Sequence, residues 1–241
     1  MGKTCATCGG IGMNLAADTA CPECHYERGQ VISLTKQDIV ELVPVLGELH
    51  VPRNYIGTCW SSDIFWAGHG DLRGNKLVEL VISQMEKIHS LFASGDLLNR
   101  SLLLLAPAQY GKMTFGFSCM QYAVKSGYSV APLLDTSEIK RLLVLSSEQP
   151  TQRAVSIDYE SYISADLCIF TVQKNEYRRN AYSTILDLLD KRSRRGLSTI
   201  GLSRYSMAEL SRWDRSGDFM RLSVPTPEEN LLKIPAILSC L

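Results

Sequence analysis

The chain has 241 residues, 45% hydrophobic and 21% charged, with 25 Lys and Arg balancing 25 Asp and Glu. Such a chain can bury a main domain plus a small module, and zero net charge excludes a global field that gathers nucleic acid or a membrane surface. No apolar run reaches the ~20 residues of a membrane helix, and Met1-Gly2-Lys3 leads straight to cysteines without an apolar signal region, which predicts a cytoplasmic protein with no membrane partner.

Four of the eight cysteines fall in two pairs, Cys5-x2-Cys8 and Cys21-x2-Cys24, twelve residues apart. Each pair can place two thiolates on one ion from a tight turn, which predicts a tetrahedral zinc site in a module spanning residues 1–28. Gly9-Gly10 lets amides turn toward sulfur, and Pro22 stiffens the second turn. Four thiolates leave no open coordination position, so this zinc is structural. The alternative, a redox dithiol, expects the pair at a helix start in a larger α/β domain, and neither pair has that setting.

Residues 29–74 read as a linker and arm. Thr35-x-x-Asp38 opens a short helix from Lys36 to about Val43, which Pro44 is expected to end. Val51-Pro52-Arg53-Asn54-Tyr55-Ile56-Gly57 is extended and turn-rich. Trp60, Phe65 and Trp66 either tuck this arm onto the core or anchor a partner.

The main domain spans 75–241. Asn75 caps a long helix with apolar positions at Leu77, Val78, Val81, Ile82, Met85, Ile88, Leu91 and Phe92, ended by Gly95. In Ser101–Ser126 four leucines lead into a Pro-containing turn, Gly111-Lys112 and an amphipathic run. That is the layout of a phosphate-binding loop, where amides and a helix N-terminus meet an anion and a lysine adds charge. Further strands are expected at Tyr128–Leu134, Asp166–Val172, Ser198–Leu202 and Met220–Val224, after a first at Ser101–Ala106. Helices are expected at Thr114–Ser126, Ser137–Val144 and Glu176–Arg192, and residues 145–165 are polar and irregular. Alternating strands and helices predict an α/β fold with a mostly parallel five-stranded sheet and flanking helices.

Several segments in order resemble the bacterial and phage replicative-helicase loaders, the DnaC/DnaI and IstB-like branch of the AAA+ ATPases. They are the VPRNYIG arm, the Ser101–Thr114 strand and loop, the strand at Ala165–Phe170, the Glu176–Arg192 helix, and LSTIGLSRYSMAEL at 197–210. The resemblance implies an AAA+-like domain, an N-terminal zinc module ahead of it, ATP or ADP as ligand, a replicative helicase or other replication protein as partner, single-stranded DNA and oligomer formation. Only seventeen residues follow Val224, too few for a helical lid, as in the compact loader branch.

Three departures from the family pattern bear on activity. Gly111 and Lys112 are kept, but Ala106 replaces the first glycine and Met113 the hydroxyl residue that holds Mg²⁺. Thr114 comes one residue late, rotated by about 100° around a helix. Where loaders end the next core strand in Asp-Glu, this chain has Thr171-Val172, with Lys174 nearby and Glu176 beyond. The sensor strand ends in Ser203 where the family has a polar Asn. Metal-assisted hydrolysis thereby loses its second metal anchor and its water-positioning group, so the expected protein is a loader-like replication accessory factor with an inactive ATPase fold. Two alternatives remain: an active loader with displaced ligands, and a zinc-containing structural subunit of a transposition or polymerase complex.

From Lys174 to Arg221 there are 11 Lys and Arg against 6 Asp and Glu. Arg178, Arg179, Arg192, Arg194 and Arg195 bracket the Glu176–Arg192 helix. They can bind DNA phosphates, as the resemblance implies, or those near the helix end can simply complement its dipole. Arg212, Arg215 and Arg221 fall where the family places a trans-acting arginine finger, or are ordinary surface or sheet-edge charges.

Overall fold

The computed structural model describes residues 13–14, 19–20, 36–98, 101–107, 110–135, 160–172, 188, 191–205, 209 and 237–239. The four paired cysteines, the expected Ser137–Val144 helix, the Met220–Val224 strand and most of Glu176–Arg192 lie outside them, as do Arg178, Arg179, Lys174, Glu176, Arg212, Arg215 and Arg221. The chain divides into two compact units: Met1–Asp96 with Gly111–Tyr128, and Leu97–Tyr110 with Ser129–Leu241.

The first unit opens with β1 (Met13–Asn14) and β2 (Thr19–Ala20), paired antiparallel with Met13 opposite Ala20 and Asn14 opposite Thr19. The helices α1 (Lys36–Glu48), α2 (Ser62–Gly68), α3 (Lys76–Ala93) and α4 (Lys112–Lys125) follow, with 3-10 turns at Arg53–Tyr55 and Gly70–Leu72. Helix α4 packs on α1, α3 and the Arg53–Tyr55 turn. Asp38 of α1 meets Lys125 of α4 in a 2.8 Å ion pair.

Helix α1 runs through Pro44 to Glu48, past the stop expected there. Proline removes one helical donor and normally breaks a helix. Here Pro44 lies on the exposed side, while Ile39, Leu42, Leu46 and Leu49 are buried at helical spacing on both sides of it. Burial of that stripe outweighs the lost hydrogen bond. Asn75 caps α3 as expected, its Oδ1 accepting from the N–H groups of Leu77 and Val78. At the other end Gly95, at φ 90°, lets Gly95 N and Asp96 N donate to Phe92 O and Leu91 O. Leu77, expected on the buried stripe, is instead 51% exposed, as is Leu80 at 52%.

The second unit holds one sheet, with strands β3 (Ser101–Leu105), β4 (Leu134–Asp135), β5 (Leu167–Val172), β6 (Ser198–Ser203) and β7 (Ile237–Ser239) in the order β4-β5-β6-β3-β7. All pairings are parallel. The long strands β3, β5 and β6 carry it, and the edge strands have two and three residues. β5 and β6 are buried throughout, as strands of a parallel sheet covered on both faces must be. The edge strand beside β3 is Ile237–Ser239, a segment for which no strand was expected. Residues 160–164, expected to be irregular, are helical and lead into β5.

Gly201 in β6 sits where no side chain fits. A Cβ there would lie 2.5 Å from Phe170 Cζ and 2.9 Å from Leu103 Cδ1. Close approach of the flanking strands' side chains fills the space that a larger residue would occupy.

Candidate functional site

In the first unit the sequence-predicted residues Gly111, Lys112 and Thr114 form the start of α4. Gly111 is its N-cap at φ 67°, ψ 17°, with no side-chain cap, and its carbonyl accepts the first helical bond, from Phe115 N at 2.9 Å. The positive φ is costly for any residue but glycine. A Cβ at Gly111 would also sit 3.4 Å from Trp60 Cδ1. Lys112 is 7% exposed, whereas Met113 and Thr114 are half-buried.

What holds this helix start in place comes from the arm. Gln121 of α4 is buried: Gly57 N donates to its Oε1 at 2.6 Å, and the two hydrogens of its Nε2 are shared among the carbonyls of Tyr55, Thr58 and Phe117. The 55–58 turn is thereby fastened to the helix behind Gly111-Lys112. Trp60 packs edge-on against Phe115, with centroids 5.7 Å apart, and against His89 at 5.9 Å. Trp60 and Phe65 are buried, so these two tuck the arm into the core. Trp66 stays half-exposed, edge-on to Phe65, with the Arg73 guanidinium 5.7 Å from its ring. Sequence reasoning missed Gln121, because a glutamine inside an amphipathic helix carries no signal of what it bonds.

His89 of α3 faces Ser118 of α4, Nε2 to Oγ 2.6 Å, and lies edge-on to Tyr122. Burial pushes its imidazole pKa down to about 4, because an apolar surround disfavours the charged form.

In the second unit the strand register aligns the expected catalytic positions. Leu105 pairs with Ser203, Ser203 with Val172, and Leu105 also with Ser239, so the carboxyl ends of β3, β5, β6 and β7 form one row. The row beneath places Thr171 between Leu202 and Asp135. Thr171, Val172 and Ser203 are buried. The hydroxyl of Ser203 accepts from Tyr205 N at 3.0 Å, and the carbonyl of Ser203 accepts from Ala106 N at 3.0 Å. Neither Thr171 nor Val172 offers a carboxylate for metal or water, and Ser203 is bound into the turn after β6.

The basic residues separate sharply. Arg192, expected to contact phosphate, is 0% exposed. Its Nε donates to Thr199 Oγ1 at 2.8 Å. Its Nη1 donates to the carbonyls of Tyr162 and Ala165, and its Nη2 to those of Ser198 and Asp166. The guanidinium fork thus ties the end of helix 160–164 to the starts of β5 and β6, and it is withdrawn from any phosphate-binding face. Burial lowers its pKa, with the Cys168 thiol and Asp166 opposing. Arg194, the last residue of the helical turn that carries Arg192, and Arg195, in the turn after it, are exposed. Among the described residues no cluster of His, Cys, Asp or Glu could hold a metal ion, and no helix is long and apolar enough to cross a membrane.

No protein-family model and no curated protein matches the sequence. Solved structures similar to it include DnaI, at 15% identity and TM-score 0.42 over 64% of this chain and 82% of that one. They also include a proposed primosome component from Streptococcus pyogenes serotype M3, at 18% identity and TM-score 0.46 over 71% and 84%. A third is AMPPCP-bound DnaA from Aquifex aeolicus, at 17% identity and TM-score 0.39 over 58% and 44%. The chain spans less than half the length of the DnaA structures it matches.

Proposed function

We propose that this chain is a helicase-loader-like accessory protein of DNA replication, which binds a replicative helicase or another replisome protein without turning over ATP. The observation that carries the inactive part is the row of strand ends. In that row β5 ends in Thr171-Val172, at the positions where the family resemblance calls for the two carboxylates of metal-assisted phosphoryl transfer. The loader-like part rests on the ordered sequence segments, from the VPRNYIG arm to LSTIGLSRYSMAEL. The arm's grip on α4 through Gln121 and Trp60 supports reading the arm as part of the folded core.

A structural zinc held by Cys5, Cys8, Cys21 and Cys24 belongs to the same proposal. The β1–β2 ladder turns the chain back between the two pairs, which suits the approach of four thiolates to one ion. Zinc there would supply folding free energy and no chemistry. Arg194 and Arg195 are the exposed candidates for a single-stranded DNA contact.

The partner is tested by capture. The tagged full-length chain is expected to retain the replicative helicase of its host as a stoichiometric complex in size-exclusion chromatography. Recovery instead of a transposition or polymerase assembly free of helicase would replace loading with a scaffold role.

A further inference from the structure

We infer that the exposed face of α1 is a docking surface for a basic amphipathic helix of a partner protein. Helix α1 is apolar on two sides. Ile39, Leu42 and Leu46 are buried, while on the opposite face Val40 and Val45 are 50% and 41% exposed. At 100° per residue, Val40, Pro44, Glu48, Glu41 and Val45 succeed one another across about 140° of the helix surface, and all five are exposed. Among the described residues four large apolar side chains are exposed, and two of them belong to this one helix. The sequence hides the face, because a proline at 44 predicts a stop before Val45 and Glu48 can join it.

Charge decides the occupant. From Gln37 to Glu48 the chain has three acidic residues and no Lys or Arg. Lys125 pairs with Asp38. Among the described residues Glu41 accepts only from the Gln37 amide, and Glu48 has no partner. Glu48 stands in the last turn, where the negative end of the helix dipole disfavours a carboxylate, and no basic residue in that turn offsets it. Pro44 adds an acceptor to the same face, since it has no N–H to give to the Val40 carbonyl. A helix with Lys or Arg two turns apart beside an apolar stripe matches this pattern. Its cations meet Glu41 and Glu48, seven residues apart, and its apolar side chains cover Val40, Pro44 and Val45. An acidic or purely apolar partner would bury both carboxylates without a cation. The same carboxylates repel nucleic acid, and a second copy docking through this face would set acid against acid. The surface goes beyond the proposed role, because the chemistry of the contact is fixed whichever protein supplies the helix.

The probe is a fluorescein-labelled Leu/Lys peptide that forms an amphipathic helix of about four turns, the length of α1; a matched peptide carries Glu for every Lys. The full-length wild type is expected to bind the Leu/Lys peptide and not the Leu/Glu one, with affinity that falls as salt is raised. Glu41→Lys/Glu48→Lys should weaken the Leu/Lys peptide about tenfold or more and gain binding of the Leu/Glu peptide. Val40→Ser/Val45→Ser should weaken the Leu/Lys peptide about fivefold through lost apolar contact. Both variants should keep the wild-type thermal midpoint, since all four side chains are exposed. Asp71→Lys/Asp96→Lys, the same charge change at exposed residues outside α1, should leave the affinity nearly unchanged. A wild type that does not bind the Leu/Lys peptide, or an equal loss in the Asp71/Asp96 variant, overturns the inference. So does self-association of the wild type in sedimentation velocity that Val40→Ser/Val45→Ser abolishes, which would give the face to a second copy. Helicase capture is read separately, so either reading can fail alone.

Discussion

Gln121 Oε1 accepts the backbone N–H of Gly57 at 2.6 Å across 64 residues of sequence, and this bond couples the arm to the helix that starts at Gly111-Lys112. Replacing Gln121 by leucine keeps the volume roughly constant but leaves Gly57 N–H and the carbonyls of Tyr55 and Thr58 without it. The expected loss is about 2–4 kcal/mol, from buried groups left unsatisfied. Urea unfolding would show it as a lower midpoint. A midpoint equal to wild type would mean that the arm is held by Trp60 and its neighbours alone.

Arg192 and the pair Arg194/Arg195 should separate stability from binding. Arg192→Met removes donors from Tyr162, Ala165 and Ser198 carbonyls and from Thr199, and should cost about 3 kcal/mol or more. Arg194→Glu/Arg195→Glu should leave the unfolding midpoint nearly unchanged, weaken oligo(dT) and flatten its salt dependence. If the double glutamate variant kept wild-type affinity and salt slope, those two arginines would be no part of a DNA contact.

Gly201→Ala is predicted to be among the most damaging small substitutions in the sheet. Its Cβ meets two packed side chains of neighbouring strands, Phe170 and Leu103, at sub-contact distance, so overpacking should cost about 1–3 kcal/mol. The double variant Gly201→Ala/Phe170→Leu should recover part of that loss if the clash is the cause. Equal unfolding midpoints for wild type and Gly201→Ala would refute the packing described around β6.

His89 makes stability depend on pH. Its folded pKa lies near 4, below the ordinary value of about 6.5, so the native state keeps the imidazole neutral while the unfolded chain takes a proton first. The stabilisation is therefore full above pH 6.5 and is lost as the pH falls from 6.5 toward 4, by at most about 3 kcal/mol. The groups described against the ring are the Ser118 hydroxyl and the Trp60 and Tyr122 rings, none of them charged at these pH values. In His89→Asn the fall in urea midpoint between pH 7 and 4.5 should shrink; an unchanged fall would place the titration elsewhere.

Cys21→Ser should lower bound zinc by about one ion per chain, read by metal analysis of the purified protein, with loss of cooperative folding in the 1–28 module. Full zinc content in the variant would rule out the four-thiolate site.

Much of this architecture was legible because it rests on short-range patterns. Apolar runs marked β3 and β5, and Asn75 and Gly95 marked the ends of α3 through capping chemistry that depends on neighbours alone. The failures have a common cause in tertiary context. Pro44 breaks an isolated helix, yet the buried stripe from Ile39 to Leu49 carries α1 through it. Ile237–Ser239 is too short to stand out and becomes a strand by pairing with β3. Arg192 looked like one of several surface cations because no local feature tells a solvated arginine from one that gathers five acceptors from β6, helix 160–164 and the two residues ahead of β5. Met113, Thr171, Val172 and Ser203 could be singled out as altered positions from the sequence, whereas the register row that aligns the last two with Leu105 needed the structure.

The central claim is that this fold is retained without phosphoryl transfer, and Mg²⁺-dependent phosphate release from ATP tests it most directly. Wild type and Lys112→Ala, each assayed with and without the captured helicase, are predicted to release phosphate at the same background rate. Turnover by the wild type that requires Mg²⁺ and disappears in Lys112→Ala would contradict it.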